Sequence, residues 1–417
     1  MKYDVIIVGG GAAGFFAAIN IAESKPGLKI AILERGKEVL TKVKISGGGR
    51  CNVTHAEFIP DELVKNYPRG EKELRGPFHT FCSGDTISFF EKRGIELKIE
   101  DDGRMFPVSN SSQTIIDCFL SETKRLGVEV LKNHSVKNIL EDDVKWVIET
   151  NQGDFHAHKL LVATGSNPKI WNLLEKLGHT IIPPVPSLFT FNIKDSRIKD
   201  LAGISAIASV RVLFNAFGGV PSAKGGDGVV KLESVGPLLV THWGMSGPAI
   251  LKLSAWGARE LNELNYNFKI QVNWLNNMEI DDVLDVLIET KKTYPKKTIV
   301  NVKPFDFPKR LWFKLVEASG IENDLRWADI SKKQLQKLSE QLTKSVFQVN
   351  GKSTFKEEFV TAGGIDLKEV NFKTFESKLH KNLFFAGEVI NIDAVTGGFN
   401  FQNAWTGAYI AARAVIG

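Results

Sequence analysis

The hydrophobic positions at the start of the chain form two short runs separated by a longer apolar stretch. Residues 5–8 are uniformly apolar, as are four of the five residues in 29–33. Such runs are typical of strands buried on both faces of a parallel sheet. Residues 15–22 between them are almost entirely apolar and predict a buried helix. Strand, helix and strand in this order predict a βαβ unit.

Three glycines stand at the junction of the first strand and the first helix. Gly9, Gly11 and Gly14 have the spacing G-x-G-x-x-G. This spacing supplies a tight turn, close approach of the backbone to a pyrophosphate, and close packing of helix on strand. Glu34 ends the second strand about 20 residues later, where an acidic side chain can accept hydrogen bonds from a ribose. The junction predicts a dinucleotide site at a helix N-terminus; the alternative is a turn without a ligand.

Similar patterns predict the elements that follow. The predicted helices cover residues 83–94, 111–126, 279–290, 308–319, 331–343 and 404–415. The predicted strands include residues 103–107, 128–131, 135–140, 144–149, 159–165, 188–193, 207–214, 229–234, 237–241, 266–271, 346–349 and 383–388. Ser83 and Ser246 are candidate N-caps, and the last helix is expected to begin near Gln402 and Asn403.

Three prolines interrupt these patterns in the middle of the chain. Pro183, Pro184 and Pro186 predict a linker over residues 183–188. Beyond them the apolar positions alternate, which is typical of half-buried antiparallel strands and suggests a small barrel.

A second glycine cluster lies at residues 45–52, Ile-Ser-Gly-Gly-Gly-Arg-Cys-Asn. Consecutive glycines can form a backbone nest for anionic oxygens, with Arg50 as the charge partner; the alternative is a flexible loop. Cys51 is either a small packing residue or a thiol near the cofactor, and the absence of a resolving cysteine nearby favours packing.

The remaining candidates for nucleotide contact lie further along the chain. Val136 is a candidate neighbour of an adenine through its backbone, and the strand over 159–165 ends in Ala-Thr-Gly. A third glycine set, with Gly387, Gly397 and Gly398, precedes the last helix. A domain that binds a nicotinamide dinucleotide does not need a second set of glycines from the C-terminal end of the chain. The N-terminal and C-terminal glycines together therefore favour FAD.

Two features of the middle region could contribute to substrate binding. His242 and Trp243 either line a substrate pocket, where an imidazole can move a proton near neutral pH, or only precede a helix that starts at Pro248. Residues 291–314 carry seven lysines, one arginine and interleaved aromatic residues. This segment is either a solvated helical face or a surface for nucleic acid.

Composition limits the class of protein. The 417 residues include 53 Lys and Arg against 48 Asp and Glu, a net charge of +5, which permits an anionic partner but does not require one. The length predicts two or three domains. Three cysteines, no membrane-length apolar run and no signal peptide predict a cytoplasmic protein. No metal site is expected, because His156 and His158 lack a third ligand nearby.

Several motifs resemble those of the BaiN/YhiN-type flavoproteins, the aminoacetone-oxidase-like FAD-binding enzymes, over nearly the whole chain. The most specific are Ile-Ser-Gly-Gly-Gly-Arg-Cys-Asn at 45–52 and Gly-Arg-Met-Phe-Pro at 103–107; others lie at 9–14, 241–249, 361–364 and 387–400. One departure concerns the Gly-rich loop that family members carry after the Ala-Thr-Gly strand. Here Gly165 is followed by Ser-Asn-Pro and a helix, so substrate access is expected to differ.

The resemblance implies an α/β fold with a Rossmann-like FAD-binding domain split between N- and C-terminal segments. The implied domains are residues 1–186 and 354–417 for FAD binding, 187–278 and 344–353 for an inserted antiparallel β-barrel, and 279–343 for a helical insert. The implied FAD contacts are Gly11, Ala12, Ala13, Glu34, Arg35, Arg50, Cys51, Asn52, Val136, Ala163, Thr164, Gly165, Gly387, Glu388, Asn400 and Phe401. The glycine clusters described above add Gly9, Gly14 and Gly398 to the predicted cofactor contacts.

The resemblance implies an FAD-dependent oxidoreductase without fixing its substrate. The leading hypothesis is NAD(P)H-linked hydride transfer through flavin N5 to an electron-poor C=C or C=N bond. The alternatives are reduction of uracil to dihydrouridine in ribosomal RNA, bound through 291–314, an aminoacetone-type amine oxidase, and a flavin-binding protein without turnover. His242 is the candidate proton donor, followed by Cys51. Because no second strand–glycine–helix motif is found, NAD(P)H is expected to be a transient reductant on the substrate's face.

Overall fold

The computed structural model describes residues 1–142, 145–214, 232–276, 278–354 and 360–417. They form two compact units: unit 1 is Met1–Val185 with Lys356–Gly417, and unit 2 is Pro186–Phe355. Parts of the predicted strands over 144–149 and 229–234 lie outside the described residues. The assignment of domains to functions stays a prediction.

Strands occur along nearly the whole chain and alternate with helices in its first half. The strands are β1 (Lys2–Val8), β2 (Ile30–Leu33), β3 (Thr54–His55), β4 (Leu97–Ile99), β5 (Arg104–Pro107), β6 (Glu129–Leu131), β7 (Val136–Asp142), β8 (Lys145–Thr150), β9 (Gly153–Val162), β10 (Ile181–Ser187), β11 (Thr190–Asn192), β12 (Ser205–Leu213), β13 (Glu233–Thr241), β14 (Gly244–Ser246), β15 (Asn267–Asn273), β16 (Ser345–Asn350), β17 (Lys352–Ser353), β18 (Val360–Ile365), β19 (Val370–Asn371), β20 (Glu376–Ser377) and β21 (Leu383–Phe385).

Most helices lie in three parts of the chain: the first third, residues 248–343, and the C-terminal end. They are α1 (Ala12–Ser24), α2 (Thr41–Gly49), α3 (Pro60–Leu63), α4 (Glu71–Thr80), α5 (Ser83–Glu91), α6 (Ser112–Arg125), α7 (Pro168–Lys176), α8 (Pro248–Trp256), α9 (Ala258–Glu263), α10 (Ile280–Thr293), α11 (Lys309–Ala318), α12 (Lys332–Thr343) and α13 (Phe399–Ile416). Single turns of 3-10 helix lie at Val64–Asn66, Ile299–Asn301, Trp327–Asp329 and Leu367–Glu369.

A nine-stranded mixed sheet forms the centre of unit 1. Its order is β19-β20-β21-β9-β1-β2-β6, with β8 also paired to β9 and β7 paired to β8. Strands β21, β9, β1, β2 and β6 run parallel to one another, whereas β20 pairs with β21, and β8 with β9, in antiparallel fashion. Ile6 and Ile7 on β1 are fully buried, as the continuous apolar run predicts. This sheet confirms the Rossmann-like α/β class.

Helices from the two ends of the chain pack together in unit 1. Helix α1 lies against α13, and the ring of Phe16 is 5.2 Å from that of Trp405. Phe119 on α6 also contacts Trp405, with ring centroids 5.7 Å apart. This aromatic cluster brings the C-terminal glycines into the same unit as the N-terminal ones.

Unit 2 is built on a seven-stranded antiparallel sheet with the order β16-β15-β12-β13-β14-β11-β17. Helices α8 to α12 contribute to the same hydrophobic core as the sheet; for example, Ile270 of β15, Leu287 of α10 and Trp312 of α11 are all buried in it. The strand order is an open path, and no closed barrel is found over the described residues. The predicted barrel is therefore not confirmed, although the antiparallel strands are.

The proline-rich stretch forms a strand, and the boundary between the two units, Val185 to Pro186, lies within it as the predicted linker implies. Residues 181–187 form β10, which pairs with β18 in a two-stranded sheet. Proline is tolerated at a sheet edge because the missing N–H need not bond there. The pairing is close, since a Cβ on Gly363 would lie 2.6 Å from Cα of Pro184.

Three helix starts differ from their predictions. Cys82, not Ser83, is the N-cap of α5, and the Asp85 carboxylate accepts a hydrogen bond from the Cys82 backbone N–H at 2.7 Å. Gly247, not Ser246, caps α8. Helix α13 begins at Phe399, earlier than predicted, because Gly398 turns the chain with φ of 95°.

Candidate flavin-binding site

The turn between β1 and α1 has the geometry that its glycines predict. Gly9 adopts φ of +117° and lies against the backbone of Ala163. A Cβ on Gly14 would overlap the carbonyl oxygen of Gly9, so only glycine fits there. Gly11, in contrast, is extended, and no atom lies within 4 Å of its Cβ position. The start of α1 at Gly11 and Ala12 is therefore open enough for its backbone N–H groups to bind an anion, whereas Ala13 is buried.

Glu34 is held at the end of β2 by two backbone groups. Its carboxylate accepts hydrogen bonds from the N–H of Gly10 at 3.0 Å and of Gly36 at 2.7 Å. A carboxylate has further lone pairs, so it can still accept from ribose hydroxyls. The carbonyl of Glu34 accepts from His134 N at 2.8 Å, two residues before Val136. Arg35 is exposed beside it.

The ends of β9 and β21 meet beside α1. Ala386 N donates to the Val162 carbonyl at 3.1 Å, and a Cβ on Gly387 would contact Cβ of Ala13 at 3.4 Å. Past Ala163 and Thr164, the Cβ position of Gly165 lies 3.7 Å from Glu388 Oε2. Glu388 pairs with Lys42 at 2.6 Å. Residues that are far apart in sequence thus surround one end of the sheet.

The glycine cluster at 45–52 forms the end of α2. Ser46, Gly47 and Gly48 leave helical geometry, the two glycines with φ of 57° and 68°. The Arg50 guanidinium pairs with Glu100 at 2.5 Å and lies 3.9 Å from the ring centroid of Phe106. Arg50 is thus already bonded to a carboxylate, and its predicted role as a phosphate partner stays a prediction.

Two predicted contacts in this cluster are fully enclosed. Cys51 is buried, and burial raises the pKa of its thiol to about 12. Asn52 is also buried, and its Oδ1 has no hydrogen-bond partner among the described residues. A Cβ on Gly398 would lie 2.9 Å from this oxygen. A buried acceptor without a donor costs about 1–3 kcal/mol, and a flavin ring carries an N–H that could satisfy it.

The loop before α13 is fixed by side-chain contacts to its backbone. Asn400 accepts from Ala394 N at 3.0 Å and donates to Ala394 O at 3.1 Å. A ring nitrogen of His55, Nδ1, lies 3.0 Å from the Gly397 carbonyl oxygen. Phe401 stacks on Trp405, with ring centroids 5.4 Å apart. The N-terminus of the 18-residue helix α13 is thus held in a defined position.

Two residues at this site were not singled out by the sequence patterns. Asn403 is buried, and both of its side-chain amide atoms lack a partner among the described residues. No sequence pattern distinguished Asn403 from Asn400 and Gln402 on the same helix. His55 stacks on Phe399 with ring centroids 4.5 Å apart, and its short strand gave no periodic pattern. The unpaired buried amides and the open space at Gly11 fit a large polar ligand such as a flavin nucleotide.

The predicted proton donor lies in unit 2. His242 and Trp243 form the exposed turn between β13 and β14, and the Trp243 carbonyl accepts from Ile193 N at 2.9 Å. Their rings are 6.0 Å apart. A role for His242 in catalysis stays a prediction.

The environment of Cys51 has a direct consequence for its reactivity. With a pKa of about 12, only about one thiol in 10⁴ is ionised at pH 8. We expect iodoacetamide to leave Cys51 unmodified in the folded protein at pH 8 and to alkylate the half-buried Cys82 first. Peptide mass spectrometry over a time course measures both sites. Alkylation of Cys51 as fast as Cys82 would contradict the burial; in urea, both should react.

Membrane-spanning helices and clustered metal ligands are both absent from residues 1–142, 145–214, 232–276, 278–354 and 360–417. Within them, no helix is both long enough and apolar enough to cross a membrane. In the same ranges, no three His, Cys, Asp or Glu side chains are grouped so as to hold a metal ion.

The whole chain is similar to known proteins. The model of the HI0933-like protein Rossmann domain matches residues 3–414. A ribosomal RNA dihydrouridine synthase of Haemophilus influenzae is 29% identical, with 98% of each chain aligned. A 3-dehydro-bile acid delta(4,6)-reductase of Clostridium scindens is 27% identical, also over 98% of each chain. The crystal structure of 3-ketosteroid-delta4-(5alpha)-dehydrogenase from Rhodococcus jostii RHA1 shares the fold with a TM-score of 0.50 at 12% identity, covering 100% of this chain and 97% of its own. The chain therefore belongs to the HI0933-like Rossmann-domain family and is a flavin-dependent oxidoreductase.

Proposed function

We propose that this protein is an FAD-dependent reductase of carbon–carbon double bonds conjugated to a carbonyl, and that its acceptor is uracil in ribosomal RNA. The observation that carries the proposal is the full-length similarity to a ribosomal RNA dihydrouridine synthase. The Clostridium relative is named as a bile-acid reductase. Dihydrouridine formation and reduction of a 3-keto delta(4,6) system both add hydrogen across a double bond in conjugation with a carbonyl.

The residues in unit 1 fit FAD as the flavin. In this proposal Glu34 accepts from a ribose, the start of α1 binds the phosphates, and the buried Asn52 oxygen accepts from a polar edge of the ring; the support is the Glu34 carboxylate at the end of β2, the open position at Gly11 and the unsatisfied Asn52 Oδ1. When bound, a flavin supplies a hydride equivalent to an electron-poor carbon. The predicted contacts from Gly387 to Phe401 belong to this proposal, as does NAD(P)H as the transient reductant.

The chain's own residues must then deliver a proton to the neighbouring carbon. His242 is the donor in this proposal, because an imidazole is the side chain most often used as a general acid. The alternative donor, Cys51, is disfavoured by its burial and by a pKa of about 12, because such a thiol releases its proton reluctantly.

The direct test compares two acceptors with the flavin-loaded protein and NADPH. We expect dihydrouridine in an unmodified ribosomal RNA transcript, detected by nucleoside mass spectrometry, and little reduction of a 3-keto-4,6-diene steroid. The His242→Gln variant should keep flavin reduction by NADPH and lose product formation by about 10²-fold or more, the usual size of a general-acid contribution.

Three other results would each contradict part of the proposal. Reduction of the steroid without dihydrouridine would replace RNA by a small enone as the acceptor, the class that the Clostridium relative favours. Reduction of neither acceptor by a protein whose flavin bleaches with NADPH would reject conjugated double bonds as the substrate class. Full product formation by His242→Gln would remove His242 from the reaction.

A further inference from the structure

We propose that Tyr294, Lys296, Lys297 and Arg326 form a surface on unit 2 that binds a single-stranded segment of the RNA substrate. The proposal rests on the proposed function, since it assumes that the acceptor is RNA. The cations of the basic segment at 291–314 differ in whether they contact other groups of the protein, and this difference supports the proposal.

Five of these cations are used within the protein itself. Their partners are Glu289 for Lys292 at 3.1 Å, Asp306 for Lys303 at 4.0 Å, Glu317 for Lys314 at 3.2 Å, the Ile330 carbonyl for Lys291 at 2.7 Å, and the Asp200 carbonyl for Arg310. Such contacts belong to a solvated, internally paired helical face. Lys296, Lys297 and Lys309 are exposed and form no salt bridge within the described ranges.

Two of these three lysines are adjacent and lie in a rigid turn. The turn follows α10, where Tyr294 is the C-cap residue. Trp327 N donates to the Lys297 carbonyl, and Ala328 N to the Pro295 carbonyl, both at 2.9 Å. Thr298 forms an isolated bridge with Arg326, and the Trp327 side chain between these contacts is fully buried. The turn therefore presents Arg326 beside the two lysines.

An exposed aromatic ring stands among these charges. Tyr294 is 47% exposed although it is large and mostly apolar. Asp324 and Asp329 flank Arg326 in sequence, but no salt bridge joins them to the surface within the described residues. Three cations and an open ring provide phosphate contacts and a stacking platform, the combination that binds unpaired nucleotides.

The chemistry favours single-stranded RNA over a duplex. A-form duplexes are bound by contacts to phosphates and 2′-hydroxyls across the minor groove, whereas splayed bases stack on aromatic side chains. An enzyme that acts on a base also needs that base outside the stack. A loop that contains the target uracil would supply both unpaired bases and phosphates.

The experiment uses the flavin-loaded full chain and matched variants. We expect Lys296→Glu with Lys297→Glu to weaken binding of a ribosomal RNA transcript by about tenfold or more and to lower the slope of log affinity against log salt by about 1 to 2. The control, Lys332→Glu with Lys333→Glu, makes the same charge change at exposed positions of α12 and should stay within about twofold. Tyr294→Ala should lose about tenfold and Tyr294→Phe almost none.

The readouts separate failure of the surface from failure of the function. If RNA binds and dihydrouridine forms while both lysine pairs have equal effects, the surface is wrong and the function stands. If Tyr294→Phe loses as much as Tyr294→Ala, stacking is wrong. If the native protein binds no RNA and forms no dihydrouridine, yet NADPH bleaches its flavin, the RNA substrate and this surface are both rejected.

Discussion

Gly14→Ala is expected to destabilise unit 1, whereas Gly11→Ala is expected to weaken FAD binding strongly in a protein that still folds. At position 14 the new methyl group would overlap the carbonyl oxygen of Gly9, which belongs to the turn between β1 and α1. Overpacking of a rigid core costs about 1–3 kcal/mol, which in a domain of this size lowers the melting temperature by about 2–12 °C.

The outcome at Gly11 is different because its surroundings are different. No atom lies within 4 Å of its Cβ position, and its backbone is extended, with φ of −96° and ψ of −170°, which alanine adopts readily. The methyl group would occupy the space where the backbone must approach a pyrophosphate. We expect the melting temperature of the flavin-free protein to change little and the Kd for FAD to rise about 100-fold, equivalent to about 2.7 kcal/mol.

The measurements are thermal unfolding of the flavin-free proteins and a fluorescence titration with FAD. Gly76→Ala provides a matched control, because no atom lies within 4 Å of its Cβ position either, and it lies on α4, outside the proposed cradle. Unchanged FAD affinity in Gly11→Ala would show that the pyrophosphate does not pass over this glycine. Unchanged stability in Gly14→Ala would show that the strand and helix can separate without cost.

The sequence predicted the parts of the fold that depend on local steric limits and on the spacing of apolar residues. The apolar run at 5–8 and the glycine spacing predicted a buried parallel strand and its turn, because backbone crowding leaves few alternatives at Gly9 and Gly14. The same holds for α6, which the helical period of the apolar positions predicted over 111–126, whereas its N-cap, Ser111, was not predicted.

The parts that were missed depend on partners distant in sequence. The prolines at 183–186 predicted a linker, and the unit boundary does lie there, but the sequence did not show that the stretch is also a strand paired with β18, about 175 positions later. The strands of unit 2 alternate as in a barrel, yet alternation alone does not decide whether the last strand returns to the first. The basic run at 291–314 shows the same limit, since only the folded chain reveals that Arg310 binds the Asp200 carbonyl.

The candidate site was predicted unevenly for the same reason. Glycines and Glu34 could be found because their spacing encodes their geometry. The amide of Asn403 could not, because its lack of a partner is a property of the surrounding packing. Arg50 was expected to hold a phosphate, but its contact with Glu100 depends on the hairpin of β4 and β5.

Arg69→Met is expected to be the most damaging single charge removal in unit 1. Arg69 and Asp393 form a salt bridge across 324 positions of sequence, and the Asp393 side chain is completely buried. Removing one partner of a buried pair costs about 3–5 kcal/mol, because it leaves an uncompensated charge. At about 2–4 °C per kcal/mol, the melting temperature should fall by about 10 °C.

The same substitution should also weaken FAD binding, because Asp393 begins the loop that carries Gly397 and Gly398 to the start of α13. The control is Lys42→Met, which breaks the pair with Glu388; there the lysine side chain is 55% exposed, so the loss of stability should be under about 1 kcal/mol. Combining Arg69→Met with Asp393→Leu removes both charges and should recover part of the loss. Thermal unfolding of all three variants tests this expectation: equal shifts for Arg69→Met and Lys42→Met would mean that burial does not strengthen the Arg69–Asp393 pair.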